Sequence, residues 1–580
     1  MPARLLAAAV ALVLAGCSAD RPREPFAKLV DEFIYTSLYN SPVAATQYGY
    51  HRHGNIELDS MLDDFSPSSL ERQRRWYQDL RLRLQGASDL ATLSADDRAD
   101  LDIIHDQISL ALLELQTIQN FRHNPTLYVE LVGNALYTPF ILEYTDKTKR
   151  YEHIIARLQA VPELLLQARR NLSNAPSIWN QVAIGENDGN IALIDQDMRS
   201  NAPQLSRARY DEAAAPALEA LRSFNDFLKN DLMRRTADWR LGRDKYAQKF
   251  RYALATDQTP ETTLAAAEQQ MQWMRKEMYR IALELNGGKA VPGPEAATIK
   301  HVLDRIALKH ATPETYFADA RRDLQEAREF VRARDLLTLP ARDNLQVIET
   351  PEFMRGIYSV GGFSSAPPLE PQLGAFYWLT PIPTTWPKER VESKLREYNL
   401  YGLKILTIHE AMPGHYVQLE YANNVEPHSR RVLRSVFGNG PYVEGWAVYA
   451  TELLLEQGYM NHNPEMRLSY LKHLLRVVAN TILDVRLQTK EMTDQQALAL
   501  LMDGAFQERE EATGKLQRAK LSSAQLPTYF VGYRDWMRLR KRMQSEKGAG
   551  FSLKQFHESA LNAGSVPLPA LSRLLTGKPL

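Results

Sequence analysis

Apolar residues recur along this chain at helical intervals. Phe26, Val30, Phe33, Ile34 and Leu38 fall on one face of a helical wheel, as do Leu101, Ile104, Ile108, Leu112 and Leu115 across Ala99–Thr117. Ser94-x-x-Asp97 has the form of a cap that opens the second of these helices. Tyr151–Leu172 and Tyr210–Asn230 read as further helices. Thr259-Pro260-Glu261 and Thr312-Pro313-Glu314 each set a capping threonine before a proline suited to the first turn, so each predicts a helix start. The glycine and proline cluster between them, Gly287-Gly288 and Pro292-Gly293-Pro294, reads as a surface connection. Asn124–Tyr144 is aromatic and without clear period, and is expected to form the irregular floor of a cleft. No internal repeat or low-complexity tract interrupts the pattern.

The texture changes over Ile348–Pro387, which is rich in Gly, Pro, Ser and aromatic residues. Ala375–Thr380 within it reads as a β-strand. Lys388–His409 then predicts one helix, with Leu400, Leu403, Ile405 and Leu406 on its apolar surface. Gly438-Asn439-Gly440-Pro441 breaks the chain again, and Glu444 falls in the first turns of a helix that runs to about Gln457.

Composition narrows the class. Hydrophobic residues at 44% and charged residues at 24% fit a soluble globular protein with a substantial core. Lys plus Arg equals Asp plus Glu at 70 each, so no net field favours nucleic acid or an acidic membrane. The basic run Arg534–Arg542 is interleaved with Trp536, Met537 and Leu539, the pattern of an amphipathic helix with a solvated basic face. At the N-terminus, Arg4 precedes an apolar run, Leu5–Ala15, that is too short to span a bilayer. It ends in Leu14-Ala15-Gly16-Cys17, which resembles a bacterial lipoprotein cleavage box. Residues 1–16 are therefore expected to be a signal peptide, and 17–24 a tether lipidated at Cys17. The protein would then face the periplasm from a lipid anchor, with the outer membrane the expected host. A plain secretory signal with an incidental cysteine is the alternative. Cys17 is the chain's single cysteine, so no intramolecular disulfide forms.

The candidate chemistry lies in Thr407-Ile408-His409-Glu410-Ala411-Met412-Pro413-Gly414-His415. Two imidazoles and an adjacent carboxylate are what a hydrolytic zinc site needs, as two ligands and a base. The usual helical arrangement places the histidines one turn apart, at i and i+4. Here they are six residues apart, which on an unbroken helix turns them roughly 240° from each other. Pro413 cannot donate to a helix and would clash with the carbonyl of His409, and Gly414 tolerates unusual dihedrals. A broken turn over Ala411–Gly414 is thus expected to carry His415 back beside His409. A His-Glu pair alone also arises by chance, and Glu444 as a third donor competes with an ordinary salt bridge. Glu452, two turns further on, reads as a surface carboxylate.

The block Asn399–His415 with Gln418, then Glu444-Gly445-Trp446-Ala447-x-Tyr449, resembles the bacterial family known as domain of unknown function 885. So does the C-terminal pattern Tyr529-x-x-Gly532, His557 and Gly564-Ser565-Val566-Pro567-Leu568. The resemblance implies a mainly α fold: a large helical, metallopeptidase-like domain with a deep cleft and a small β element next to the motif helix. It also implies a gluzincin-like site, with His409, His415 and Glu444 holding one zinc per chain. The helical part 25–347 and the part 348–580 with the zinc site would form one continuous unit. By that likeness, an edge strand upstream of the motif helix would pair with an extended substrate, unless it is only a structural hairpin.

In that reading Glu410 is the general base and proton carrier. Tyr529 is the first candidate for donor to the oxyanion and Tyr533 the next. His557 is either another donor or a surface histidine. The expected substrate is a peptide of the cell envelope. The alternatives are a non-peptide amide or ester, or an inactive binding lipoprotein.

Replacing Cys17 with serine tests the anchor. The Cys17→Ser chain, expressed with its leader, should lose lipidation and leave the detergent phase. Unchanged detergent partitioning would show that the cleavage box has been misread.

Overall fold

The helical spacing is realised over most of the chain, and the protein is mainly α, with two small sheets among the described residues. The computed structural model describes residues 23–355 and 358–580, so the expected leader and Cys17 lie outside the described residues. Phe26–Asn40 buries Phe26, Val30, Phe33, Ile34 and Leu38 on one side. The Ser94 hydroxyl accepts from the Asp97 amide at 3.1 Å and caps Ala95–Leu113. Thr259 caps Pro260–Leu285 through a reciprocal pair with Thr262.

Four expectations are corrected. Thr312 does not cap a helix directly: Thr312 and Thr315 bond each other's amides in a closed turn, and the helix begins at Tyr316. Asn124–Tyr144 is not irregular but carries the helix Thr126–Ile141, opened by the Asn124 side chain accepting from the Thr126 amide at 3.0 Å. None of its residues is exposed, and apolar residues such as Leu127, Leu131 and Tyr137 lie on the side away from the buried ones, so no single apolar stripe marks it in the sequence. Lys388–His409 is two helices, Lys388–Glu397 and Leu400–Glu410. The split falls where Asn399 turns its side-chain oxygen onto the amides of Tyr401 and Gly402 at 3.0 and 3.2 Å, starting a second helix in a new direction.

The fourth correction concerns the sheet. Strands β1 (Arg52–His53) and β2 (Ile56–Glu57) form a small hairpin. Strands β3 (Leu345–Glu349), β4 (Gly361–Ser364) and β5 (Ala375–Leu379) form a three-stranded sheet in the order β3-β5-β4. The predicted strand β5 is therefore central, parallel to β3 and antiparallel to β4, and all five of its residues are buried. The edge strands are β3 and β4. The Thr380 amide donates to the Val360 carbonyl at 2.9 Å. Antiparallel alternation then points the amides and carbonyls of Gly361 and Phe363 away from β5.

The largest core gathers residues from both ends of the chain: Phe33 and Ile104, Met278 and Val331, then Trp446, Trp536 and Leu571. A second core, around Tyr128, Leu158, Ile194 and Phe224, fills the helices between residues 126 and 232. The basic run predicted to be amphipathic lies on Pro527–Lys547, with Trp536, Leu539 and Met543 buried and Arg538 and Lys541 exposed. Among the described residues no helix is long and apolar enough to cross a membrane.

One buried cation ties the first helices to the last third of the chain. The Arg434 guanidinium, 1% exposed, donates to Asp100 at 2.7 Å, to Asp96 at 3.0 Å and to the Ala563 carbonyl at 2.6 Å. Burial pushes the Asp100 carboxyl up, and Arg434 and Arg430 oppose that. Removing one member of such a pair leaves a buried charge uncompensated. Arg430 still reaches Asp100 at 2.8 Å, so Arg434→Ala should destabilise the fold by about 3 kcal/mol, the low end of the usual range. A denaturant midpoint unchanged from the parent would overturn this.

Candidate metal centre

The motif helix Leu400–Glu410 stops at Glu410, and a new helix, His415–Ala422, starts at His415. Ala411–Gly414 forms the turn between them, with a cis bond at Met412–Pro413. The Gly414 amide donates back to the Ile408 carbonyl at 3.0 Å. A Cβ on Gly414 would stand 1.9 Å from the His409 carbonyl oxygen, so only glycine lets the chain double back here. The break does what the long spacing requires: the rings of His409 and His415 lie 4.8 Å apart, nearly perpendicular.

Glu444 arrives from the helix Gly440–Glu456, which Asn439 caps by accepting from the Tyr442 amide at 3.1 Å. This helix crosses Pro527–Lys547 at Gly445 and Gly532. A Cβ on Gly445 would meet the Gly532 backbone at 2.3 Å, and one on Gly532 would meet the Pro441 carbonyl at 1.9 Å. The crossing brings Glu444 and Tyr529 to the two histidines. Trp446, on the same helix, donates its indole N–H to the Pro413 carbonyl at 2.8 Å and so fixes the motif turn. Ser565 braces the other side, accepting from the Asn439 amide at 3.0 Å on its carbonyl and from Gln418 at 2.9 Å on its hydroxyl.

The donors converge on one point. Glu444 Oε2 lies 3.5 Å from His409 Nε2 and 3.4 Å from His415 Nε2, and it is buried without a hydrogen-bond partner. Those separations are long for strong hydrogen bonds. They match the roughly 3.3 Å edge of a tetrahedron whose ligands stand about 2.0–2.1 Å from a central ion. The three residues are the group among the described residues whose ligand atoms fit a shared cation. Burial opposes ionisation of Glu444, but the two facing imidazoles hold its carboxyl well below the usual carboxylate range. The donor set, two neutral imidazoles and a carboxylate, suits zinc.

These side chains open into a cavity of about 420 Å³. Glu410 lines it, next to His409, and its carboxylate makes no hydrogen bond with another described residue. Tyr529 lines it as well, its ring stacked on His409 at 6.1 Å. Burial and the negative charge of Glu444 push its phenol up, so it stays protonated and able to donate. The β4 residues Gly361, Gly362 and Phe363 form the opposite wall, and Phe363 stacks on His415 at 6.4 Å.

The other candidates lie elsewhere. Tyr533 does not line the cavity; it faces Glu452, Arg467 and Tyr470. His557 is neither at the surface nor in the cavity. It is fully buried, donating from Nδ1 to the Leu336 carbonyl and accepting at Nε2 from the Tyr449 hydroxyl, both at 2.8 Å. Burial lowers it to about 4, so it is a neutral wedge behind Trp446, 5.6 Å from that ring. Glu452 is not a surface carboxylate but a buried one, paired with Arg467 at 2.8 Å. Two neighbours carry no signal in the sequence. Arg518 lines the cavity beside Tyr529, and His473, held neutral by burial and by Arg476, lies 6.3 Å from the His409 ring. Both sit on helices whose pattern marks only packing and surface charge.

A family model described as "Bacterial protein of unknown function (DUF885)" matches residues 42–575. The chain belongs to this family. A solved structure from Shewanella oneidensis, described as a "putative lipoprotein of unknown function", is 30% identical. It covers 95% of this chain and 99% of its own, with a TM-score of 0.78. A second, from Colwellia psychrerythraea and described as a "putative lipoprotein", is 17% identical and covers 95% of this chain and 98% of its own, with a TM-score of 0.77; it shows the shared fold. No curated protein matches the DUF885 chain.

The donor geometry sets a stoichiometry. The protein should bind about one zinc per chain, as a mononuclear site does. His415→Ala should lose it while circular dichroism stays unchanged. Full zinc content in that variant, by elemental analysis, would remove His415 from the ligand set.

Proposed function

We propose that the protein is a zinc-dependent, gluzincin-like hydrolase that cleaves peptides at the cell envelope, where a lipid on Cys17 anchors it. The observation that carries this reading is the meeting of His409 Nε2, His415 Nε2 and Glu444 Oε2 at one buried point, with the free carboxylate of Glu410 in the same cavity. The leader and the descriptions of the two solved relatives as lipoproteins support the anchor.

Bound zinc would supply Lewis acidity and a water acidified to near neutrality. The rest belongs to the chain. Glu410, not engaged by another side chain, takes the proton from the attacking water and returns it to the leaving amine. Tyr529, protonated and stacked on His409, donates to the carbonyl oxygen as charge develops there. Arg518 beside it reinforces that polarity. The outward amides and carbonyls of Gly361 and Phe363 hold an extended backbone across the site by adding a strand to β4. Main-chain pairing of this kind selects an extended chain without reading its side chains.

Glu410→Gln separates the base from the ligands. Its amide is nearly isosteric and accepts no proton, so zinc content should persist while hydrolysis of short peptides falls about 10²–10⁴-fold. Near-parental turnover of a chelator-sensitive substrate by this variant would remove Glu410 from the base role.

A further inference from the structure

Tyr358, Phe363 and Leu419 wall the metal cavity on one side and a second cavity, of about 360 Å³, on the other. Two helices supply the far end of this second space. Thr126–Ile141 contributes Glu130, and Ser177–Ala192 contributes Glu186. Both helices press on the Glu352–Met354 turn through glycine: a Cβ on Gly133 would stand 2.3 Å from the Phe353 ring, and one on Gly189 would stand 2.9 Å from the Phe353 backbone. That clamp sets two carboxylates into one aromatic chamber, with Phe353, Phe363 and Trp378 around them.

The carboxylates are not balanced by anything that lines the chamber, which holds no Lys, Arg or His among its described residues. Glu186 is only 3% exposed, and both of its oxygens are buried without a hydrogen-bond partner. A buried carboxylate left in this way is costly unless a cation or donor meets it. Burial, and then the neighbouring Glu130, push the Glu186 carboxyl up to about 9, so it keeps its proton near neutrality and gives it up to solvent only when a cation pairs with it; burial raises Glu130 to about 7. A second polar group in the chamber is also unmet. The indole N–H of Trp378, a residue 6% exposed, has no acceptor. Unmet acceptors and a donor thus share a cavity with aromatic walls and with the polar side chains of Gln47, Asn134, Ser364, Ser365 and Ser435, the pattern of a ligand pocket rather than of a core.

We propose that Glu186 and Glu130 form a subsite for an ammonium group of the substrate, with the Trp378 N–H meeting an acceptor atom beside it. The aromatic walls suit the apolar stem of such a group and attract its charge. This subsite rests on the reading of the adjoining cavity as a hydrolytic centre, and it gives that centre a substrate preference that strand pairing alone lacks. Two sources present the same chemistry: the free amino terminus of a peptide and the side chain of lysine.

Equilibrium binding to the full chain in the presence of a chelator tests the subsite without turnover, so its outcome is independent of whether the metal centre hydrolyses anything. The probes are an N-acetylated, C-amidated Ala-Lys-Ala peptide, its norleucine counterpart, and the norleucine peptide with a free amino terminus. At least one cationic probe should bind about tenfold or more tightly than the neutral one, as a charge-assisted hydrogen bond to a buried carboxylate allows. Preference for the lysine probe assigns the subsite to a side chain, and preference for the free amine assigns it to the terminus. Glu186→Gln should bring the ratio near one, and Glu130→Gln should lower it, which keeps the test intact if one variant folds poorly. Equal binding of all three probes, failure of both cationic probes to bind, or a ratio that survives both substitutions would overturn the proposal.

Discussion

Gly445 and Gly532 let two helices touch backbone to backbone, and most of the candidate metal centre follows from that contact. Glu444 precedes Gly445 directly, and Tyr529 lies one turn before Gly532. Whatever fixes the crossing therefore fixes the third donor and the phenol relative to each other. A side chain at either glycine would separate the helices, and overpacking of this kind ordinarily costs about 1–3 kcal/mol. More importantly for function, it would draw Glu444 away from two imidazoles that are themselves held by a separate device. Trp446 links the two devices, since it belongs to the crossing helix and bonds the Pro413 carbonyl in the motif turn.

The motif turn solves a problem of phase. Six residues on one continuous helix would point His415 away from His409, so the chain ends one helix and starts another within Ala411–Gly414. The interruption leaves Glu410 at the last turn of the first helix, beside one donor and close to the other, with its carboxylate in the cavity. The same economy appears at β4. Its inner side completes the sheet, while its outer side presents unpaired backbone groups to the cavity of His409 and His415, and Phe363 divides that cavity from the acidic chamber beyond.

Much of this was legible in the sequence where the signal is local. The first helices, the Thr259 cap and the broken turn at Pro413-Gly414 all follow from residues within a few positions of one another. Glu444 was legible only in company with the motif, because a glutamate on a helix has many fates. The failures have a common physical origin in burial. Thr126–Ile141 is surrounded by protein and so loses its apolar stripe. His557 and Glu452 look like surface residues in a linear reading, but neighbours from remote segments enclose them. Strand order is equally silent: β5 becomes central only because β3, some thirty residues upstream, pairs with it in parallel. Arg518 and His473 reach the site through helix packing, which leaves no trace in spacing.

The Arg434 tie also bears on the order in which the chain acquires its structure. Asp100 and Arg434 are separated by 334 residues, and the largest core likewise joins Phe33 to Leu571. The earliest helices to leave the ribosome are thus among the last to find their partners, since their apolar faces are completed by segments made much later. Contacts of such long range close slowly, because the loop entropy is lost before the contact repays it. Until Arg434 and the helices after it arrive, those early faces remain open to whatever holds unfolded chains. If the N-terminal segment directs export as its sequence suggests, that delay keeps the chain threadable.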